Sequence, residues 1–91
     1  ITYQVPASRQ PEFLVAIHEL ATTRRRDGAY NWGVFVDVAS PEHILEIFYT
    51  HDFAEHERQH HRSVIADAPL HAKVRAFHSG AAPPQVRHWV T

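Results

Sequence analysis

The 91-residue chain contains no cysteine, no methionine and only three glycines. Without cysteine there are no disulfides, thiolate metal sites or thiol nucleophiles, a usage that fits a reducing compartment. So few glycines leave little material for loops that cradle phosphate on backbone N–H groups. No apolar run approaches the roughly 18–20 residues needed to span a bilayer. Nor does a basic stretch followed by an apolar one open the chain, as a secretory signal would. The missing methionine, with Ile1 in first place, fits a processed chain or a piece of a larger protein. A net charge of −1 lacks the basic surplus of a nucleic-acid binder, so no such partner is expected.

What is present is a composition 44% hydrophobic, enough to build a core. The length allows one domain, spanning residues 1–91. A chain this small buries only about 60–65% of its unfolded surface, so a homodimer is expected from size alone. The unusual count is histidine, nine residues in 91.

Ile1, Tyr3 and Val5 alternate with Thr2 and Gln4 as a short strand does. Ser8 is placed to cap a helix with Pro11 and Glu12 in its first turn. Phe13, Leu14, Ile17, Leu20 and Ala21 form its apolar stripe. Arg24–Arg26 suit its C-terminal dipole, or alternatively form a basic patch for phosphate or anionic lipid, and Gly28 suits a left-handed cap. Ala29–Asp37 reads as a strand with Tyr30, Trp32, Val34 and Val36 on one face. A turn at Ala39–Glu42 leads to a second strand at Ile44–Thr50, giving an antiparallel hairpin. Asp52 and Glu55 resemble a capping box opening a helix to about His61. Ser63–His78 stays helical in character, with Leu70, Val74 and Phe77 on one side. Pro69 belongs in the first turn of a new helix capped by Asp67. Gly80 ends that helix, Pro83 and Pro84 enforce an extended link, and Val86–Val90 reads as a last strand. The order β-α-β-β-α-β predicts an α+β, ferredoxin-like domain: a four-stranded antiparallel sheet with its helices on one face. Apolar residues on both sides of the hairpin predict that the uncovered face is buried by stacking against a second sheet.

Several groups could carry chemistry. His56-Glu57-Arg58-Gln59-His60 matches H-E-x-x-H, which on a helix can place two zinc ligands and a general base. In a chain so rich in histidine a coincidental match is far commoner than in an ordinary one, and His56 with His60 stands only as a weak metal alternative. Nine imidazoles could also make the domain sensitive to mild acid. Tyr30, Trp32, Phe48 and Tyr49 line either an aromatic pocket or a core and dimer interface. Glu46, inside an apolar strand, is either a functional carboxylate or half of an inter-strand salt bridge to an Arg or His. His88, on the last strand, could face a pocket. No paired carboxylates and no nucleophile elbow are present, and no cofactor is called for.

The strings RRRDGAYNWGVFVD (Arg24–Asp37), ILEIFYTHDFAEHERQHHRSVIAD (Ile44–Asp67) and VRAFHSGAAPPQVRHWV (Val74–Val90) resemble one module. It is the cytosolic C-terminal domain of bacterial major facilitator superfamily transporters of the enterobactin-exporter-like group. Leu45-Glu46 through His56 is more distantly similar to the antibiotic-biosynthesis-monooxygenase-like group of dimeric α+β barrels. The resemblance implies such a barrel, a homodimer, and about twelve membrane spans in a parent protein ahead of Ile1. It implies a place on the cytoplasmic face of the inner membrane, and a non-catalytic accessory role in dimerisation or in sensing a small apolar ligand. In the transporter group the position of Glu57 is typically Leu, so the zinc-like motif arises by substitution. Phe53 stands where the group usually has Trp, and Pro69 interrupts a helix that is normally continuous. The monooxygenase-like relatives oxidise aromatic polyketides without a cofactor or bind haem. The alternative is therefore an enzyme of that kind, for which this chain offers Asn31, Trp32, Glu46, His56 and His88. The ligand-pocket candidates are Tyr30, Trp32, Glu46, Phe48, His56 and His88.

Overall fold

A computed structural model describes residues 1–91, the side chain of Val64 excepted. Three strands and three helices follow in the order β1 (Thr2–Gln4), α1 (Gln10–Arg26), β2 (Tyr30–Val36), β3 (His43–Tyr49), α2 (Phe53–Ala66) and α3 (Ala68–Arg75). The sheet is antiparallel with β3 in the middle, in the order β1-β3-β2.

Packing against one face of this sheet decides which residues the helices bury. Phe13, Ala16, Ile17 and Leu20 of α1 recur at helical spacing and meet Tyr3, Val5 and Ile44 from the sheet side. Val74 and Phe77 close the cluster from α3 and its exit. Edge-to-face contacts join the Phe13 ring to Tyr3 and to Phe77, with centroids 5.2 and 5.9 Å apart.

The helix boundaries follow local chemistry. Ser8 does not cap α1: it lies in a 3-10 turn, Ala7–Arg9, and the cap position falls to Arg9, which makes no side-chain bond. Pro11 and Glu12 do occupy the first turn. Gly28 has φ +103°, a conformation that costs a glycine nothing, and its N–H bonds the Arg25 carbonyl. The Asp52 carboxylate accepts from the Glu55 backbone N–H at 3.1 Å to open α2, which runs beyond the expected His61 to Ala66. Asp67 stands at the N-cap position of α3 without a side-chain cap bond, and Pro69 enters α3 in its first turn, as expected. The chain leaves the helix at Arg75, five residues ahead of Gly80.

Two further sequence expectations need correction. The strand expected over Val86–Val90 does not form, and the sheet has three strands. One antiparallel bridge joins Gln85 to Thr2, through N–H···O bonds of 2.8 and 3.1 Å. Beyond that bridge, residues 86–90 pair with no strand among the described residues. Alternation alone therefore makes no strand there. The second correction concerns Tyr30. β2 and β3 pair as Val36–Ile44, Phe35–Leu45, Val34–Glu46 and Gly33–Ile47, and the register then slips before Tyr30–Tyr49. Asn31, with φ +50°, marks this bulge. The extra residue moves Tyr30 to the face opposite Trp32 and Val34.

The sheet consequently has one covered and one open face. Glu46 is the only Asp, Glu, Lys or Arg in the three strands, and it points inward. On the outer face Tyr30, Phe35, Leu45, Ile47 and Tyr49 are exposed. The Phe35 ring lies across Gly33, where a Cβ would meet it at 2.9 Å.

Candidate functional site

Beneath α1, the carboxylate of Glu46 is fully buried, its side chain 0% exposed, and the Arg24 side chain beside it is 7% exposed. The Arg24 guanidinium takes it in a fork, donating Nε to Oε2 at 2.5 Å and Nη2 to Oε1 at 3.1 Å. Tyr3 Oη donates to Oε1 at 3.0 Å, and Trp32 Nε1 donates to Oε2 at 2.8 Å. Four donors from α1, β1 and β2 thus converge on one side chain of β3. A cation and two neutral donors replace the water that burial takes from this carboxylate. Burial, reinforced by the neighbouring Glu46 charge, pushes the Tyr3 hydroxyl well above its ordinary pKa, so Tyr3 serves as a donor.

The other side of Arg24 leads to a second group. Its guanidinium lies 4.7 Å over the centre of the Phe48 ring. Phe48 meets His56, with centroids 5.8 Å apart. From there imidazoles run in a row: His88 and His56 at 5.6 Å, His56 and His60 at 5.8 Å, His60 and His71 at 6.0 Å. Ser63 Oγ and His71 Nε2 are 2.9 Å apart, tying α2 to α3. The ring of Phe53 braces His88 at 5.1 Å. A cavity of about 20 Å³ lies between α2 and the sheet, lined by Arg24, Phe48, Thr50, His56, His60 and Ser63 among others. That is room for about one water molecule. A larger but open groove on α1, lined by Leu14, Val15, His18, Glu19 and Thr22, gathers no comparable polar set.

Burial is the first cause that lowers the pKa of His56, His60 and His71 below that of free imidazole. Neighbouring rings and the Arg24 charge add to it for His56 and His60. For His71 the charges of Arg24 and Arg75 lower the pKa and that of Asp67 raises it. All three are neutral at pH 7.

Of the six candidate pocket residues, the fold brings five together. Trp32 and Glu46 share the carboxylate cluster, and Phe48, His56 and His88 share the imidazole row, with Arg24 joining the two. Tyr30 lies apart, stacked between Tyr49 and His51 on the far side of the sheet. The question left open for Glu46 is answered by its partners: it is one half of an ion pair. All three arginines stand in the last turn of α1, as expected; Arg24 turns inward to Glu46, Arg25 lies over the Trp32 ring, and Arg26 bonds Asp27 and Asp67 on the surface. The signal for Arg24 was its spacing. It stands four residues after Leu20, on the same stripe as Phe13 and Ile17. Tyr3, His71 and Ser63 were also missed, since their partners lie across elements. For His56 and His60, no three His, Asp or Glu side chains among the described residues are arranged to hold a metal ion.

Among the described residues no helix is long and apolar enough to cross a membrane. One family model, that of the transmembrane secretion effectors, matches residues 1–91, the whole of this sequence. Neither a curated protein nor a solved structure matches the chain.

Proposed function

The chain belongs to the transmembrane secretion effector family, a major facilitator transporter family, and from that premise we propose that it is a non-catalytic accessory domain of an efflux-type transporter. Its task in this reading is to pair with a second copy of itself, on the cytoplasmic face of a bacterial inner membrane. The finer relationship is to the C-terminal domains of the enterobactin-exporter-like group, and the finer architecture is a ferredoxin-like half of a dimeric α+β barrel.

The observation that carries the reading is the outer sheet face. Tyr30, Phe35, Leu45, Ile47 and Tyr49 stand exposed there with no strand charge among them. A soluble monomer rarely leaves so continuous an apolar surface uncovered. A second copy brings the same surface, and a two-fold contact needs only self-complementarity. The inner side supports an accessory role over catalysis. Both oxygens of Glu46 are already engaged by Arg24, Tyr3 and Trp32. The cavity beside His56 is far below the roughly 300 Å³ that a small-molecule site requires. A small apolar ligand is therefore better placed between two sheets than under α2.

Light scattering at micromolar concentration tests the reading. A mass of two chains is expected, and a strict monomer would overturn it. Titration with haemin and with phenolic substrates tests the enzymatic alternative, and spectral change or oxygen uptake would restore it.

A further inference from the structure

We propose that the row His56–His60–His71, against which the His88 ring packs, is an acid-released latch, which holds α2 on the domain while its three imidazoles are neutral. The inference goes beyond the accessory-domain reading and stands or falls without it.

Three observations on geometry support it. The row crosses elements: His56 and His60 stand on α2 and His71 on α3, and the His88 ring packs against His56 from the segment after α3. Ring-to-ring distances of 5.6–6.0 Å leave no room for a separating layer of counter-ions. Among the described residues of α2, Ser63 is the one that is buried, and its Oγ meets His71 of the row. Phe48 and the cavity beneath α2 form the floor that release would uncover.

The surrounding charges set the direction. Arg24 faces the row from α1, with its charge offset by Glu46 of β3, and Arg75 faces it from α3. Glu57 on α2 and Asp67 at the α2–α3 junction favour protonation. Asp67, however, is already bonded to Arg26, and Glu57 is exposed to solvent. From Phe53 to Thr91 the chain carries five Lys and Arg against three carboxylates, together with six of the nine histidines. Acid therefore adds positive charge where positive charge is already in excess. A protonated row places cations about 6 Å apart; Asp27, which lines the cavity with His56 and His60, and Asp67 and Glu46, which act on His71, offset part of the repulsion, and separation of α2 relieves the rest.

Amide hydrogen exchange at pH 7.5 and 5.5, corrected for intrinsic rates, tests the latch. Protection of α2 is expected to fall at least tenfold relative to α1 and the strands. Equal change in all elements, or no change in α2, would overturn it. The pair His60→Gln and His71→Gln keeps side-chain hydrogen bonding and removes two charges, and should flatten the pH response of α2. If that variant does not fold, the wild-type imidazole proton resonances decide. Titration of His56, His60 and His71 at or above the free-imidazole value would overturn the proposal, and midpoints below it support it.

Discussion

On the face under α1, Glu46 receives four hydrogen bonds and sits in a sealed layer with Phe13, Ile17, Leu20 and Ile44. On the opposite face of the same strands, Phe35, Leu45 and Ile47 have comparable apolar character and no cover. Burial has thus been placed against expectation: the charged residue is inside and large hydrophobes are outside. A carboxylate is tolerated inside because its partners arrive from three other elements and leave none of its valences unmet. The open face gains nothing by remaining in water, and it is best understood as half of a contact.

The two faces can be separated by substitution. Glu46→Ala strips the ion pair and strands Arg24 in the core, and should cost about 3–5 kcal/mol by denaturant unfolding, enough to threaten the fold. Trp32→Phe removes one donor to a charged acceptor while keeping an aromatic ring, for about 2 kcal/mol in the same experiment. Asp52→Ala deletes the cap of α2, outside both faces, and should cost about 1 kcal/mol. Ile47→Ser on the outer face should change the stability of an isolated chain by no more than about 0.5 kcal/mol, yet lower the scattering mass. A core-sized loss from Ile47→Ser would erase the distinction between the faces.

Acid acts on neither face directly. Free imidazole titrates near pH 6.5, and burial holds His56, His60 and His71 below that in the fold. Between the two values the unfolded chain binds more protons than the folded one. Stability from these rings is therefore complete above about pH 6.5 and declines as pH falls through the folded-state values. Urea midpoints measured from pH 7.5 down to 5 should fall in that direction.

Much of the architecture was legible because its causes are local. Asp67 and Pro69 announce the break between α2 and α3, Gly28 the end of α1, and Asp52 the start of α2. The spacing of Phe13, Ile17 and Leu20 gives the covered face. What failed depended on distant partners. Val86–Val90 alternates like a strand, yet only Gln85 bridges to Thr2, because pairing depends on a partner strand in register that alternation does not report. Tyr30 changes face through one residue, Asn31, whose left-handed backbone a period-two reading does not register. Glu46 could be singled out as an acid needing a partner, while the identity of that partner depended on a helix packing across the strand, 22 residues away in sequence. Four of the nine histidines form a row only after α2, α3 and the last segment are brought together.

The absence of cysteine makes the decisive measurement clean. Ile47→Cys places a single thiol on the outer sheet face, and Val15→Cys places one on the exposed side of α1. With a short bismaleimide at micromolar protein, the account predicts a covalent dimer from Ile47→Cys and monomer from Val15→Cys. Equal cross-linking of the two variants, or none at position 47, would contradict it.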